Sequence, residues 1–432
     1  MNILIVSYEA WRETNNGGNV LSNIFAAFPD AALAQVYCCG EQPQNGVCRK
    51  YFQISDGMLL TKEKGRILPE RDYSVDDGQR PGGQVKEKIP ALLKEGALLA
   101  RELLWTVANW RSRALRDFVL DFQPDVIFAP CYSYFHVSRL ALYIKKIARC
   151  PMISYISDDN ASLKQFRLSP SFWINRLITR KWIRRHLSQC ELVYTMTQMQ
   201  KQEYEAEFGC RMKILCKSAE FEPRDRETGD PIRLIYGGGL YLNRWKILAK
   251  IRDVLEELNQ NGVKAQLHIY SGSKLSPHRT KLLSDGENAF LHQAIGYGEL
   301  MERYRHADIA IHAEAFDLKN RLITRLSFST KIIDCMSSGC AILAVGPEGQ
   351  AGLSYLRDND AAVCVSDTKA LYGAISDLVE HREKIAIYAR KACELGRRNH
   401  DRSKIEEELR RDFAQIVHGA DARDQDRGSV MR

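Results

Sequence analysis

Apolar and polar positions along this chain follow two alternating rhythms. Short runs of apolar and β-branched residues recur, and between them apolar residues return every three or four positions. The first rhythm predicts buried strands, the second amphipathic helices. The chain opens with a strand, NILIVSY, then a glycine turn, Asn15-Asn16-Gly17-Gly18-Asn19. A helix follows through Leu21, Ile24, Phe25 and Phe28. Residues 40–85, with Gly57, Gly65, Gly78, Pro81, Gly82 and Gly83, read as a long irregular loop. A helical pattern runs from Glu87 to Phe122. Then come the strand VIFAP, a helix over 136–149, the strand MISYIS ending at Asp158-Asp159, a basic helix over 170–188, the strand ELVYTMT and a helix from Met199 to Phe208.

The stretch 220–231, EFEPRDRETGDP, breaks the alternation with charge and two prolines, as a linker does. The pattern then restarts. IRLIYGGG, AQLHIYS, ADIAIHA, CAILAV and AAVCVS read as strands. Helices are predicted from Trp245 to Asn261, Glu299 to His306, Lys331 to Ser338, and onward to about His418. Uniformly apolar strands separated by helices imply parallel sheets covered on both faces. The expected fold is α/β: two Rossmann-like, doubly wound domains facing a cleft, with ligands at the carboxyl ends of the strands. The expected boundaries are 1–220 and 232–418, joined by a linker at 221–231. The polar tail 419–432 is expected to be disordered. A chain of 432 residues has room for two such cores.

Composition narrows the class. No apolar run is long enough for a spanning helix. The N-terminus lacks the basic region and cleavage site of a signal peptide, so a cytoplasmic protein is expected. The twelve cysteines include no Cys-x-x-Cys pair, which argues for buried thiols over zinc or disulfides. The net charge of +8 is concentrated locally. Between Asp159 and Glu191 there is no acid, but there are Lys164, Arg167, Arg176, Arg180, Lys181, Arg184 and Arg185. This 164–186 stretch suits a peripheral contact with an anionic membrane, or else a solvated helix face. No nucleic-acid-binding module is recognisable.

The chemistry concentrates in the second half. Gly237-Gly238-Gly239 at a strand end lets a ligand approach the backbone. Arg244 follows at the start of a helix, where a cation can neutralise a diphosphate. Ser329-Thr330-Lys331 opens another helix; its hydroxyls suit capping and its amides suit a phosphate. Asp334, one turn beyond Thr330, can accept hydrogen bonds from a ribose diol. Glu314 and Asp317 lie on the preceding loop, and His312 sits beside Glu314.

On these residues the chain resembles retaining glycosyltransferases of the GT-B fold, family four. That family carries two glutamates eight positions apart, the second opening an E-A-M-x-x-G helix. Asp334-Cys335-Met336-Ser337-Ser338-Gly339 matches the second and implies ribose binding by Asp334. The first falls on Leu326 and is missing. Ser327-Phe328-Ser329-Thr330-Lys331 looks like an S-F-S-T-K variant of the donor-site motif. Glu314 or Asp317 is expected to replace the lost contact to the donor sugar. The family's arginine and lysine, five apart, fall on Gly239 and Arg244, with Lys331 as the expected second cation. Gly17-Gly18 is similar to the glycine loop of the acceptor domain, and Gly296-Tyr297 to the nucleobase pocket.

The resemblance implies transfer of a sugar from a nucleoside-diphosphate sugar to a hydroxyl of a glycan or lipid-linked acceptor. Retention, and a role in surface polysaccharide or glycan assembly, are implied with it. The expected donor site is Arg244, Lys331, Ser329, Thr330, Asp334, Gly238, Gly239 and Tyr297. Glu314 and His312 are candidates for the catalytic step. Gly17, Gly18 and Asp158 are placed on the acceptor and phosphate side. No cofactor or metal is expected, because basic side chains and helix dipoles take the diphosphate charge. His136 and His268 read as structural. Two other readings stay open: a GT-B-fold nucleotide-sugar epimerase using His312 and Glu314, and an inactive nucleotide- or glycan-binding scaffold. A dinucleotide dehydrogenase is disfavoured, since neither half carries a full Gly-x-Gly-x-x-Gly run with its distal acid.

Overall fold

A computed structural model describes residues 1–13, 16–73, 91–223 and 227–430. It divides into two compact units: Met1–Leu215 with Ile405–Arg432, and Cys216–Lys404. Parts of the expected 40–85 loop, of the 221–231 linker and of the tail, as well as Asn15, lie outside the described residues.

In the first unit the described strands are β1 (Asn2–Ser7), β2 (Ala32–Tyr37), β3 (Lys50–Gln53), β4 (Arg66–Ile67), β5 (Val126–Phe128), β6 (Met152–Ile156), β7 (Leu192–Thr195) and β8 (Met212–Ile214). They form one sheet in the order β4-β3-β2-β1-β5-β6-β7-β8. Every pairing is parallel except β3 with β4. The 40–85 region is therefore not one irregular loop, since it supplies β3, β4 and a helix at Asp56–Leu60. The first four residues of the helical pattern Glu87–Phe122 lie outside the described residues, and the rest breaks in two, Ala91–Val107 and Arg113–Phe122. Ser112 caps the second piece through Leu115 N, and Trp110 folds back to donate from Nε1 to Trp105 O at 3.0 Å.

The last helix, Arg402–Val430, runs through most of the tail expected to be disordered. Its Ile405 onward belongs to the first unit, whereas the sequence reading gave 405–418 to the second. Phe413, fully buried, meets Phe28 and Phe128 at ring distances of 4.7 and 6.4 Å. Tyr194 donates to Asp412 at 2.7 Å, and Lys213 pairs with the same carboxylate.

The second unit carries β9 (Ile232–Gly237), β10 (Ala265–Tyr270), β11 (Ala289–His292), β12 (Ile309–Ala313), β13 (Ala341–Val345) and β14 (Val363–Val365). Their order is β11-β10-β9-β12-β13-β14, all parallel. Strands after β9 add to one side, and those after β12 to the other. The order thus reverses between β9 and β12, and this is where an open α/β sheet leaves a crevice at its carboxyl edge. The central strands β12 and β13 are buried along their whole length, which explains why β13 is apolar throughout and β12 is interrupted only by His312.

Candidate functional site

The crevice is built by the segments that leave β9 and β12. After β9 the chain passes Gly238 at φ +148° and then Leu242 and Asn243, both in the left-handed region, before the helix Arg244–Leu258. A Cβ on Gly238 would lie 1.7 Å from Lys331 Nζ, so only glycine lets the lysine cross the loop there. Arg244 is the first residue of a four-turn helix, at the positive end of its dipole.

After β12 comes Glu314, whose backbone N donates to Val345 O at 2.8 Å. Its carboxylate accepts two bonds from Arg244, 2.7 Å from Nη2 and 3.3 Å from Nε. Both side chains are about nine-tenths buried, so Arg244 forms a buried fork rather than a surface pair. Burial opposes the Arg244 charge, but Glu314 and Tyr236 outweigh it and hold the guanidinium firmly protonated.

Lys331 opens the helix Lys331–Ser337. Its ammonium lies 5.4 Å from the Tyr236 ring centroid, and among the described residues no carboxylate comes within ion-pairing distance. Burial, reinforced by Arg244, pulls its pKa down to about 8. Burial likewise drops His312 to about 4, so the imidazole is neutral near pH 7. Tyr236, Arg244, His312, Glu314, Ser329, Lys331 and Cys335 surround one small concavity. The structure therefore brings together Arg244, Lys331, Ser329, Glu314 and His312 as expected from sequence, with Gly238 at the rim.

Asp334 belongs to a second cluster one turn along the same helix. Its Oδ1 accepts from Lys217 Nζ at 2.5 Å and from Tyr297 OH at 2.8 Å, and Lys217 also donates to Tyr297 OH at 3.1 Å. Tyr297 is half exposed, with Lys217 Nζ 4.6 Å from its ring centroid. Burial opposes the Lys217 charge, but Asp334 prevails and raises its pKa. Lys217 was not anticipated. It stands alone in a segment without periodicity, and no spacing rule links it to Asp334.

Two expectations are corrected, the Thr330 cap and the polar loop after β12, and two further residues are placed by packing. Thr330 caps the Lys331 helix with no side-chain bond and helical dihedrals, so the hydroxyl-capping role does not hold. Asp317 is the N-cap of the helix Leu318–Thr324, which lies within the expected polar loop. It accepts from Asn320 N and from Asn243 Nδ2 at 2.9 Å. Leu326, where the family's first glutamate would stand, is fully buried. Gly239 packs under Tyr241 and accepts from Tyr236 OH at 2.7 Å.

In the first unit, Gly17 and Gly18 lie inside the first turn of the helix Asn16–Phe25, not in a turn before it. A Cβ on Gly18 would meet Arg12 O at 1.9 Å, a packing reason for that glycine. Asp158 is exposed. Its neighbour Asp159 is buried and accepts from Tyr204 OH, Arg176 and Ser162 N. His136 is buried, bonded through Nδ1 to Glu102 at 2.8 Å and stacked on Trp105.

The basic stretch is mostly neutralised within the unit. Arg176 pairs with Asp159, Arg180 and Arg184 with Glu207, Lys164 with Glu203, and Arg167 with Glu95. Among the described residues no cluster of three or more His, Cys, Asp or Glu side chains is arranged to hold a metal. No described helix is long and apolar enough to cross a membrane.

No family model matches this sequence, and no curated protein matches it. Solved structures do resemble the fold. Sucrose-phosphate synthase from Thermosynechococcus elongatus superimposes with a TM-score of 0.61 at 12% identity, covering 97% of this chain and 100% of that one. An E. coli trehalose-6-phosphate protein bound with UDP-2-fluoro glucose gives 0.59 at 12%, covering 96% and 99%. Anabaena HepE in complex with UDP gives 0.58 at 13%, covering 96% and 100%. At such identities the likeness is one of fold: two Rossmann-like domains, the GT-B architecture.

Proposed function

We propose that the chain is a glycosyltransferase that takes a nucleoside-diphosphate sugar as donor and transfers its sugar to a hydroxyl of a glycan or lipid-linked acceptor. The observation that carries the reading is the pair of cations, Arg244 and Lys331, in the crevice where the strand order of the second sheet reverses. Lys331 is a buried ammonium with no carboxylate partner among the described residues, and a diphosphate supplies the missing charge. Arg244, whose Nε and Nη2 are held by Glu314, keeps the remaining side of its guanidinium for the same group. When the glycosidic bond breaks, negative charge grows on the departing diphosphate, and fixed cations stabilise it best in a site that excludes water. Asp334, with Tyr297 above it, is proposed to accept the ribose hydroxyls. Glu314 is proposed to face the donor sugar while holding Arg244 in place.

Retention at the anomeric carbon is carried over from the sequence resemblance, together with a place in surface polysaccharide or glycan assembly. Two of the similar structures are complexes with UDP or a UDP-sugar, so UDP-sugars are the first donors to try. The epimerase reading loses ground because Glu314 is tied to Arg244 and His312 is neutral, which leaves no free acid–base pair there.

Calorimetric titration with UDP-, GDP- and ADP-sugars tests the proposal. Saturable binding of one donor, abolished in Arg244→Ala, is the expected result. If none binds, the donor site is misassigned.

A further inference from the structure

A groove on the first unit is lined by Arg111, Arg116, Arg139, Lys146 and Arg149, with Trp182 between them and no acidic side chain. None of these five cations has a carboxylate partner among the described residues, in contrast to the paired cations of the 164–186 stretch. Arg111 and Arg139 crowd one another, and Arg139 lies over the Trp182 ring at 5.5 Å. Like charges held together with no acid in the groove, and only Glu102 acting on Arg139 from outside it, raise the local positive potential.

Beside the groove lies an apolar surface. The helix Ala91–Val107 packs along the helix Pro170–Leu187. At one end Arg167 reaches Glu95; at the other Arg139 donates to Trp105 O and Thr106 Oγ1. On these two helices Leu103, Val107, Ile174 and Leu177 are exposed, Val107 at 82%. The loop before the second helix adds Phe166 and Leu168, the latter 89% exposed. Isolated apolar residues on a surface need no explanation, but six exposed ones on two packed helices and the loop before one of them, next to cations without carboxylate partners, do.

We propose that this face docks on an anionic lipid bilayer. The apolar side chains enter the interfacial layer and the groove cations meet headgroup phosphates. A soluble polyanion would use the cations and leave the apolar residues in water. A second copy placed face to face would set the five cations against their own images. The inference is independent of the transfer reading, and it replaces the paired 164–186 charges with a different set.

The test is sedimentation of the full chain with phosphatidylcholine vesicles, with and without phosphatidylglycerol. Two double variants are compared, Leu168→Asp/Leu177→Asp and Arg116→Glu/Arg149→Glu, each first shown by thermal melting to keep its fold. The chain should bind only the phosphatidylglycerol vesicles, less in high salt, and each double variant should lower the partition by about tenfold or more. Equal binding to both vesicle types, no binding, or unchanged binding in either variant overturns the proposal. So does retention on heparin without vesicle binding, or a dimer seen by light scattering that Leu168→Asp/Leu177→Asp dissolves while vesicles bind nothing.

Discussion

Lys331 offers a test that reads protons directly. Its ammonium falls from an ordinary 10.5 to about 8, because burial and then Arg244 disfavour the charge. Each pKa unit is worth about 1.4 kcal/mol, so holding Lys331 charged in the folded unit opposes folding by about 3 kcal/mol. The sign follows from proton counting. Between about pH 8 and 10.5 the unfolded chain binds more protons than the folded one, so stability rises with pH through that window. Below about pH 8 the penalty is present in full.

A bound diphosphate reverses the balance and returns the lysine to its ordinary range, so donor binding takes up a proton. At about pH 8.5 roughly three quarters of a proton should be taken up, and at about pH 7 roughly a tenth. Donor affinity should accordingly fall about tenfold between pH 7 and 9. His312 is neutral and Arg244 charged across this range, so neither contributes. Titration calorimetry in buffers of different ionisation enthalpy counts the protons, and Lys331→Met should remove the uptake. No uptake in the wild type, or the same uptake in Lys331→Met, refutes the argument.

Arg244→Met strands the Glu314 carboxylate and should destabilise the second unit by about 3 kcal/mol in urea unfolding, with Arg244→Met/Glu314→Leu recovering much of the loss. Gly238→Ala places a methyl where Lys331 crosses a backbone at φ +148°, so donor affinity should drop and stability fall by about 2 kcal/mol, read by calorimetry and thermal melting. Asp334→Asn removes the charge that holds Lys217 and Tyr297. It should weaken donor binding about tenfold while leaving the overall fold intact by circular dichroism. Gly396→Ala sets a methyl 2.2 Å from the Phe221 ring and should cost about 2 kcal/mol in thermal unfolding without altering donor affinity.

The central strands were legible in the sequence because a strand buried on both faces must be nearly all apolar: β13 is apolar throughout, β12 is broken only by His312, and β9 only by the exposed Arg233 near its start. Others escaped. β2 carries Gln35 in its middle, buried but bonded to Trp11 N and Ser7 Oγ, and a polar residue there hides a strand. The break between Val107 and Arg113 contains neither proline nor glycine, so only Ser112 marked it. Arg244, Lys331 and Glu314 were legible because each sits at a strand or helix end, where the chain's own pattern aims it at the crevice. Lys217 was not, because it reaches Asp334 through tertiary folding across more than a hundred residues. The neutralisation of the basic stretch was invisible for the same reason: Glu95, Glu203 and Glu207 lie on other helices.

The split make-up of the first unit bears on how the protein is made. Phe413 seals a core against Phe28 and Phe128, yet the whole of Cys216–Lys404 is synthesised between them. At about 5–20 residues per second, a ribosome needs roughly 10–40 s to cross that interval. For that time the nascent first unit shows an unfilled aromatic seat, while the second unit, contiguous in sequence, can already close. A fragment ending near Leu215 keeps that seat open permanently, so a soluble form of the first unit alone must bring its C-terminal helix with it.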